Sequence, residues 1–325
     1  MKYFFMVVVS LFLLGCGKGP VQPQVTTYPS WYLNPPQNTQ HSLYGVGEGN
    51  SINSAKASAL GFVSESLSLT VSSELKKSES SQSYNGNENT YRSVVSNLKT
   101  QAKEMEFSEY KIIRNQQIGS KIVLLVEVSR QKLFNDQKAK LELFSKALKM
   151  EEKSISKHPV LTQALLYKKR SVKRYKLKSL ALLAKTINSG FDTSPYIRQA
   201  TQVGDAGQDA LNRVKVSIDA SLEAKVFVDA IKEGLNSAGI KTSSNNANTH
   251  LFLKSSFQLD EIYGFKIAKS ALAISSKEKN KTIASNTLIL SGKSRYDYEK
   301  AKTNASHVLR KKIKEEGVFS VLGIR

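Results

Sequence analysis

The chain has 325 residues, with 48 lysine and arginine residues against 27 aspartate and glutamate residues, and a formal net charge of +21. This length accommodates two or three domains, and a hydrophobic fraction of 40% provides packed cores, which excludes wholesale disorder. One cysteine excludes a disulfide framework, a zinc finger and any multi-cysteine cluster. The charge indicates an anionic partner, and the compartment decides which anion is available.

The first sixteen residues predict export and lipidation. Lys2 precedes a short apolar run from Tyr3 to Leu14. The run suits the h-region of a secretory signal peptide and is too short to cross a hydrocarbon core of ~30 Å comfortably. It ends in Leu-Leu-Gly-Cys, which resembles the lipobox of bacterial lipoproteins. The resemblance implies a signal peptide over residues 1–15 and fatty acyl chains, such as palmitate, on Cys16. Cleavage elsewhere and an uncleaved anchor are the alternatives.

Export limits the anionic partners that the positively charged chain can meet. Nucleic acid and cytoplasmic nucleotides are removed, which leaves anionic lipid and envelope proteins. Gly17, rather than aspartate, follows the cysteine. By resemblance to enterobacterial sorting, this favours the outer membrane as the location of the lipid anchor.

The residue pattern predicts an α+β fold in which a long helical hairpin separates two small α/β sandwich-like domains. A lipidated tether rich in Gly, Pro and Gln covers residues 16–29. The first domain covers residues 30–130. Its expected elements, in chain order, are a strand at 41–49, a helix at 51–67, a strand at 68–75, a helix at 91–105 and a strand hairpin over 107–128.

The second half of the chain is predicted to begin with the hairpin, over residues 131–190. Its two helices, 131–157 and 161–187, are separated by His158-Pro159. A connector containing Pro195 follows over residues 191–212. A C-terminal domain with the order β-α-β-β-β-α then covers residues 213–325.

Three short elements near the start of the first domain resemble one lipoprotein family. They are Pro29-Ser-Trp-Tyr-Leu, the run Leu43-Tyr-Gly-Val-Gly-Glu-Gly49, and a helix carrying Ala55, Ala57 and Ala59. Together they are similar to the Lpp-twenty family of bacterial outer-membrane lipoproteins, over about residues 29–130. The resemblance implies an outer-membrane or surface lipoprotein without established enzymatic chemistry. Some relatives act as scaffolds near the flagellar motor.

No motif predicts catalysis or a bound cofactor. Gly45, Gly47 and Gly49 lie between a strand and a helix, as in a dinucleotide-binding loop, but Asn50 occupies the position of the last glycine. We interpret these glycines as a close-packed turn. The four histidines lack the spacing of zinc ligands. We therefore expect no catalytic, cofactor-binding or metal-binding residues, no cofactor, and no enzyme activity. The histidines are His41, His158, His250 and His307.

A cluster of basic residues in the second hairpin helix is the most unusual feature. Seven basic residues occur within eleven positions that contain no acidic residue. Like charges four residues apart on a helix repel one another by a few tenths of a kcal/mol. The cluster predicts binding to anionic lipid, lipopolysaccharide phosphate or an acidic protein, and the alternative is a solvated helix face. Its members are Lys168, Lys169, Arg170, Lys173, Arg174, Lys176 and Lys178.

These patterns predict a lipid-anchored, non-enzymatic scaffold or adaptor at the outer membrane. Cys16 is its expected membrane anchor, and anionic lipid, flagellar machinery or other envelope proteins are its expected contacts. One alternative is a regulator of a cell-wall synthase, which needs an exposed apolar patch on the C-terminal domain. A less favoured alternative is an enzyme that acts on peptidoglycan or lipid.

Overall fold

The structure is a computed structural model that describes residues 27–81, 88–243 and 245–324. The predicted signal peptide, Cys16 and most of the predicted tether lie outside the described residues. Helices and two separate sheets confirm the predicted α+β class. The chain divides into two compact units, one comprising residues 27–70 and 102–135, the other residues 71–101 and 136–324.

The first unit contains a three-stranded antiparallel sheet in the order β1-β3-β2. Its strands are β1 (Ser42–Gly49), β2 (Tyr110–Ile118) and β3 (Lys121–Ser129). A short helix, α1 (Ser30–Leu33), precedes the sheet, and α2 (Ile52–Ser81) follows β1. β3 is the central strand, and its four consecutive buried residues from Val123 to Val126 show why it reads as an unbroken apolar run.

The glycines of β1 allow helix α2 to lie directly on the strand. A Cβ atom built on Gly47 would be 2.1 Å from the backbone nitrogen of Ala59 and 2.5 Å from the carbonyl oxygen of Ala55. A Cβ atom on Gly45 would be 2.2 Å from the Ala59 carbonyl oxygen. No side chain fits between the strand and the helix at these positions. The glycine pattern therefore serves helix–strand packing.

The strand predicted at residues 68–75 is wrong, because α2 continues to Ser81. Its buried residues recur at every fourth position, and Leu67, Val71 and Leu75 extend this pattern through the region predicted as a strand. Leu69, which suggested strand alternation, is 63% exposed. A helical period therefore accounts for the burial of this segment.

The second unit contains most of the helices. They are α3 (Glu88–Lys103), α4 (Arg130–Ile155), α5 (Val160–Ser171), α6 (Lys173–Ile187) and α7 (Ser194–Arg213). One continuous helix over 161–187 was predicted, and the structure instead interrupts it at the exposed Val172. The Ser171 hydroxyl donates a hydrogen bond of 2.7 Å to the Lys168 carbonyl, a local bond that competes with the regular helical pattern.

The predicted connector over residues 191–212 largely forms a helix, α7. Pro195 lies in its first turn, where the missing N–H costs nothing. Its glycines are packing positions, because a Cβ on Gly204 would lie 2.4 Å from Nη1 of Arg174, and one on Gly207 would lie 3.0 Å from the Ser171 Cβ. Glycine in α7 thus marks close approach to α5 and α6.

The C-terminal part of the second unit contains a five-stranded sheet in the order β5-β4-β6-β7-β8. β4 is parallel to β5 and β6, and the β6–β7–β8 meander is antiparallel. The predicted element order is present, with a two-residue β5 and a short final helix in addition. The elements are β4 (Lys215–Ala220), α8 (Lys225–Ser237), β5 (Lys241–Thr242), β6 (Thr249–Ile262), β7 (Phe265–Glu278), β8 (Lys281–Ser294), α9 (Tyr298–Glu316) and α10 (Val318–Val321).

One face of this sheet carries the core of the second unit. Phe227 of α8, Leu272 of β7 and Leu309 of α9 are fully buried in it. Leu161 and Leu165 of α5 belong to the same apolar cluster. α5, which carries Lys168, Lys169 and Arg170 of the basic cluster, is therefore packed on the C-terminal sheet domain and is part of one folded unit with it.

Candidate functional site

The structure separates the seven residues of the predicted basic cluster into different environments. Arg170 is only 2% exposed, and its Nη2 donates hydrogen bonds of 3.1 Å to the Leu148 carbonyl and to Oε2 of Glu152. Arg170 therefore joins α5 to α4 in the interior. Its assignment to a surface cluster was wrong, because helical spacing alone did not reveal which side of α5 meets α4.

Three further members of the cluster make contacts within the protein. Nζ of Lys173 is 2.7 Å from a carboxylate oxygen of Glu151. The guanidinium of Arg174 lies 4.7 Å from the Tyr175 ring centroid, and Nζ of Lys176 lies 5.4 Å from the Phe144 ring centroid. These half-exposed contacts offset part of the like-charge repulsion that the sequence predicts.

The remaining three cations, Lys168, Lys169 and Lys178, extend toward solvent to differing degrees. Lys168 and Lys169 are exposed at the end of α5, and Lys178 is half-exposed on α6. In the described part of the chain no ion pair is found for them. Their predicted role in binding an anion stays a prediction.

A cleft between α4 and α7 concentrates cations that the sequence did not point to. Its volume is about 470 Å³. Lys146, Lys149 and Arg198 are exposed at its walls, against one carboxylate, Glu142. The Glu142 carboxylate is also 3.7 Å from Nζ of Lys138. The cleft lining is therefore net positive, and it comprises Glu142, Ser145, Lys146, Lys149, Pro195, Tyr196, Arg198, Gln199 and Gln202.

Paired hydrogen bonds hold the two walls of this α4–α7 cleft together. The Ser145 hydroxyl donates a bond of 2.6 Å to Oε1 of Gln199, and Nε2 of Gln199 donates a bond of 3.0 Å to the Ser145 carbonyl. Burial, and then the neighbouring Glu142, raise the pKa of Tyr196, so its hydroxyl remains a neutral donor at physiological pH. The floor of the cleft is thus polar and fixed, and its rim is cationic.

A second groove lies where α3 meets the break between α5 and α6. Its volume is about 570 Å³. Arg92, Ser96 and Asn97 of α3 line one side, and Lys173 and Lys176 line the other. Because Lys173 is already paired with Glu151 and Lys176 lies against Phe144, this groove has less uncommitted charge than the α4–α7 cleft.

Sequence reasoning missed the α4–α7 cleft because its cations are far apart along the chain. Lys146 and Lys149 are three residues apart, which places them on one helix face, and this was the only local signal. Arg198 lies in a segment predicted to be a connector. Only the packing of α7 on α4 brings the three cations together.

Across residues 27–81, 88–243 and 245–324, no group of three or more His, Cys, Asp or Glu side chains is placed to hold a metal ion. Within the same ranges, no helix combines the length and the apolar character needed to cross a membrane.

Tyr28, near the start of the described residues, is hydrogen-bonded to the first sheet. The Tyr28 hydroxyl donates a hydrogen bond of 2.7 Å to Glu48 on β1, and Tyr28 stacks on Tyr32. Nζ of Lys121 lies 2.7 Å from the same carboxylate. The hydrogen bonds from Lys121, first, and from Tyr28 lower the pKa of Glu48. Tyr28, at the end of the predicted tether, is thus held on the first unit.

Comparisons with known proteins give one family match and several similar solved structures. The family described as LPP20 lipoprotein matches residues 29–133. A comparison with curated proteins finds no match. The secreted protein HP1454 from Helicobacter pylori is 14% identical and covers 83% of this chain and 97% of its own, with a TM-score of 0.42. A minor lipoprotein from Acinetobacter baumannii is 13% identical and covers 34% of this chain and 95% of its own, with a TM-score of 0.29.

Both TM-scores are below 0.5, so these two structural likenesses carry no argument about function. The family match covers the segment in which the Trp-Tyr element, the glycine-rich strand and the alanine-bearing helix suggested a lipoprotein family. The predicted resemblance is therefore confirmed: residues 29–133 of this chain match the LPP20 lipoprotein family, and the remaining residues lie outside that match.

Proposed function

We propose that this chain is a lipid-anchored envelope protein that acts as a non-enzymatic scaffold, and that its helical region binds anionic headgroups of envelope lipid. The family match supports the lipoprotein part of the proposal. Anchoring through Cys16 and location at the outer membrane are inferred from the first seventeen residues. The α4–α7 cleft, with its excess of exposed cations, is the observation that carries the lipid-binding part.

The chemistry of the α4–α7 cleft suits a phosphate group. Lysine supplies a compact, strongly hydrated charge, whereas arginine supplies a planar fork that can contact two phosphate oxygens. Neutral donors from Tyr196, Gln199 and Gln202 lie beside them. A headgroup in the cleft would meet charge and hydrogen-bond donors together, which a scattered set of surface lysines does not provide.

Vesicle binding by the full chain tests this proposal. We expect salt-sensitive flotation with phosphatidylglycerol vesicles and none with phosphatidylcholine vesicles. Replacing Lys146, Lys149 and Arg198 with glutamine should weaken binding on the order of 100-fold, at about 1 kcal/mol for each basic group near the anionic surface.

A control with equal charge loss separates the α4–α7 cleft from a general effect of net charge. Lys225, Lys232 and Lys241 are exposed elsewhere in the second unit, and the variant with all three replaced by glutamine should bind nearly as well as the wild type. A third variant, with Lys168, Lys169 and Lys178 replaced, measures the contribution of the predicted cluster. Equal losses from the cleft and control variants, or no binding by the wild type, would refute the proposed cleft site.

The regulator of a cell-wall synthase remains the second candidate, because apolar side chains are exposed in the C-terminal part of the second unit. Leu222 is 81% exposed, Ile289 is 75% exposed and Phe252 is 40% exposed. An enzyme is not proposed, and purified protein is expected not to degrade peptidoglycan.

A further inference from the structure

The long edge strand of the C-terminal sheet has an unusual composition. β8 is the outermost strand of the sheet next to β7. Between Lys281 and Lys293, its eleven residues contain neither a charged residue nor a proline, in a chain with a net charge of +21. Natural edge strands normally carry charges, proline or a bulge that prevent pairing with another chain. The composition of β8 leaves it suited to such pairing.

The edge strand β2 of the first unit shows the contrasting, protected arrangement. Its register shifts between Ile112 and Arg114, which is a bulge. Lys111 and Arg114 add charge on either side of this irregularity. A bulge twists an edge away from regular pairing, and neighbouring charges repel a second copy. β8 has a register shift at Ile283 and lysines near its two ends, but it has neither feature between Thr287 and Ser291.

The two ends of the β8 edge are already covered by the protein itself. The Lys293 carbonyl accepts a hydrogen bond of 2.8 Å from Nδ2 of Asn304 on α9. At the other end, Gly323 lies against the Ser285 carbonyl, because a Cβ built on it would be 2.5 Å from that oxygen. The intervening edge, residues 287–291, has no such cover from the described residues. We call this segment the open edge.

Strand geometry shows which backbone groups the open edge presents. The backbone N–H and C=O of one residue point to the same side of a strand, and alternate residues point alike. Because the carbonyls of Ser285 and Lys293 meet groups from outside the sheet, the odd-numbered residues direct their backbone outward. Thr287, Ile289 and Ser291 therefore present three N–H and three C=O groups to an incoming strand.

The open edge is self-complementary. Ile289 lies midway between Ser285 and Lys293, so two copies overlap along the whole open edge only when Ile289 faces its own copy. Antiparallel pairing about this centre also places Thr287 opposite Ser291, and no charged residue opposes another. Ile289 is 75% exposed, and facing β-branched side chains pack favourably across strands.

We propose that β8 pairs with β8 of a second copy of this chain, in an antiparallel arrangement centred on Ile289. The result is a two-fold symmetric dimer in which the two C-terminal sheets join edge to edge. Pairing limited to the open edge makes a small interface, so the dimer is weak and reversible.

Disulfide trapping tests both the partner and the register. In the proposed pairing, opposed residues at position 289 exchange both backbone hydrogen bonds, which sets their Cα atoms about 5.5 Å apart, within disulfide range. The full chain carrying Ile289→Cys, oxidised with copper phenanthroline, should form a dimer that a reducing agent dissolves. The parent chain, whose only cysteine is Cys16, supplies the background.

Ser256→Cys is the matched control, since Ser256 is exposed on β6, two strands away from the edge. At least tenfold more dimer is expected from Ile289→Cys than from Ser256→Cys. The proposal would be overturned by equal dimer yields from the two variants or by no dimer above background. It would also be overturned by a disulfide adduct between the Ile289→Cys chain and a protein of another mass. The last outcome would assign the edge to a different partner.

A pair of variants tests the register. Thr287→Cys alone should not form a disulfide-linked dimer, because identical positions are then offset by four residues, about 14 Å along the strand. A mixture of Thr287→Cys and Ser291→Cys chains should form the mixed disulfide. Efficient trapping by Thr287→Cys alone would contradict the centre at Ile289. These results do not depend on lipid binding, so they test the dimer independently of the function proposed above.

Discussion

Glu278 provides the helix cap that the local sequence of α5 lacks. Pro159 occupies the cap position of α5 and makes no side-chain capping hydrogen bond. The Glu278 carboxylate, from the end of β7, instead accepts hydrogen bonds of 2.8 Å from the backbone N–H groups of Val160 and Leu161. The Thr249 hydroxyl donates to the same carboxylate at 3.2 Å. A strand 118 residues away thus satisfies the first turn of the helix.

Removing this carboxylate should destabilise the second unit. We expect Glu278→Ala to lower the free energy of unfolding by about 1–2 kcal/mol, because two helix N–H groups lose a charged acceptor at the positive end of the helix dipole. Glu278→Gln should lose less, since its amide oxygen can still accept a bond. Chemical denaturation of both variants measures the difference. Stability of Glu278→Ala within error of the wild type would show that water replaces the carboxylate.

At the scale of single residues, the sequence predicted a cluster of cations but not which of them are exposed to solvent. The run from Lys168 to Lys178 is visible in the sequence, yet Arg170 is internal while Lys168 and Lys169 are exposed. The difference depends on where Leu148 and Glu152 of α4 lie, and those contacts span about twenty residues of chain. Residue type and spacing therefore predicted a basic helix, and tertiary packing decided which cations reach solvent.

Secondary-structure elements show a packing device that occurs in both units. In the first unit, Gly45 and Gly47 of β1 lie against Ala55 and Ala59 of α2. In the second, a Cβ on Gly292 of β8 would lie 2.0 Å from the Ala301 carbonyl of α9. A helix with alanine at the crossing point can lie directly on a strand only where the strand has no side chain. The alanines of the helix and the glycines of the strand thus together allow the close helix–strand contact.

Substitution at the crossing point should be costly. Gly47→Ala should lower the free energy of unfolding by about 1–3 kcal/mol or more, because its methyl group overlaps the backbone of α2. Gly61→Ala is the matched control, as nothing lies within 4 Å of its Cβ position in the same helix. That change should be neutral or stabilise by up to ~1 kcal/mol through helix propensity. Thermal and chemical denaturation compare the two, and equal effects would contradict a packing role for Gly47.

The elements also show where pattern reading succeeds. The β6–β7–β8 meander was predictable, because its turns, at Tyr263-Gly264 and Lys279-Asn280, lie between alternating strands. The end of α2 was not, since Ser-Leu-Ser-Leu fits strand alternation and a helical period over the same few residues. The helix α7 was hidden by Pro195 and its glycines, which are usually signs of irregular structure. Only their close contacts with α5 and α6 explain them.

For the whole molecule, the positive charge is concentrated in one region. Residues 131–200 contain sixteen basic and five acidic residues, which accounts for +11 of the net charge of +21. The structure places residues 136–200 of this region in the second unit, and these residues lie outside the match to the lipoprotein family. Net charge of this kind informs association and not fold. We therefore expect separate parts of the chain to serve anchoring and anion binding.

This separation leads to a prediction about Cys16. Replacing Cys16 with alanine should release the chain from the membrane fraction, because the lipid chains expected on Cys16 are lost and electrostatic binding is weak in salt. The variant with Lys146, Lys149 and Arg198 replaced keeps the cysteine and should remain in the membrane fraction. Fractionation with a high-salt wash measures both. Retention of Cys16→Ala after that wash would contradict lipid anchoring through this residue.

The two units are interleaved along the chain, and this affects the order in which they fold. The first unit has all its residues once residue 135 has been made, whereas residues 71–101 belong to a unit whose other residues begin at 136. Val71, Val94 and Leu98 of this segment are buried in the finished protein, and their unit is complete only after the residues beyond 135 have been made. We therefore expect this segment to complete its packing after the first unit during synthesis, which prolongs the exposure of apolar surface that promotes aggregation.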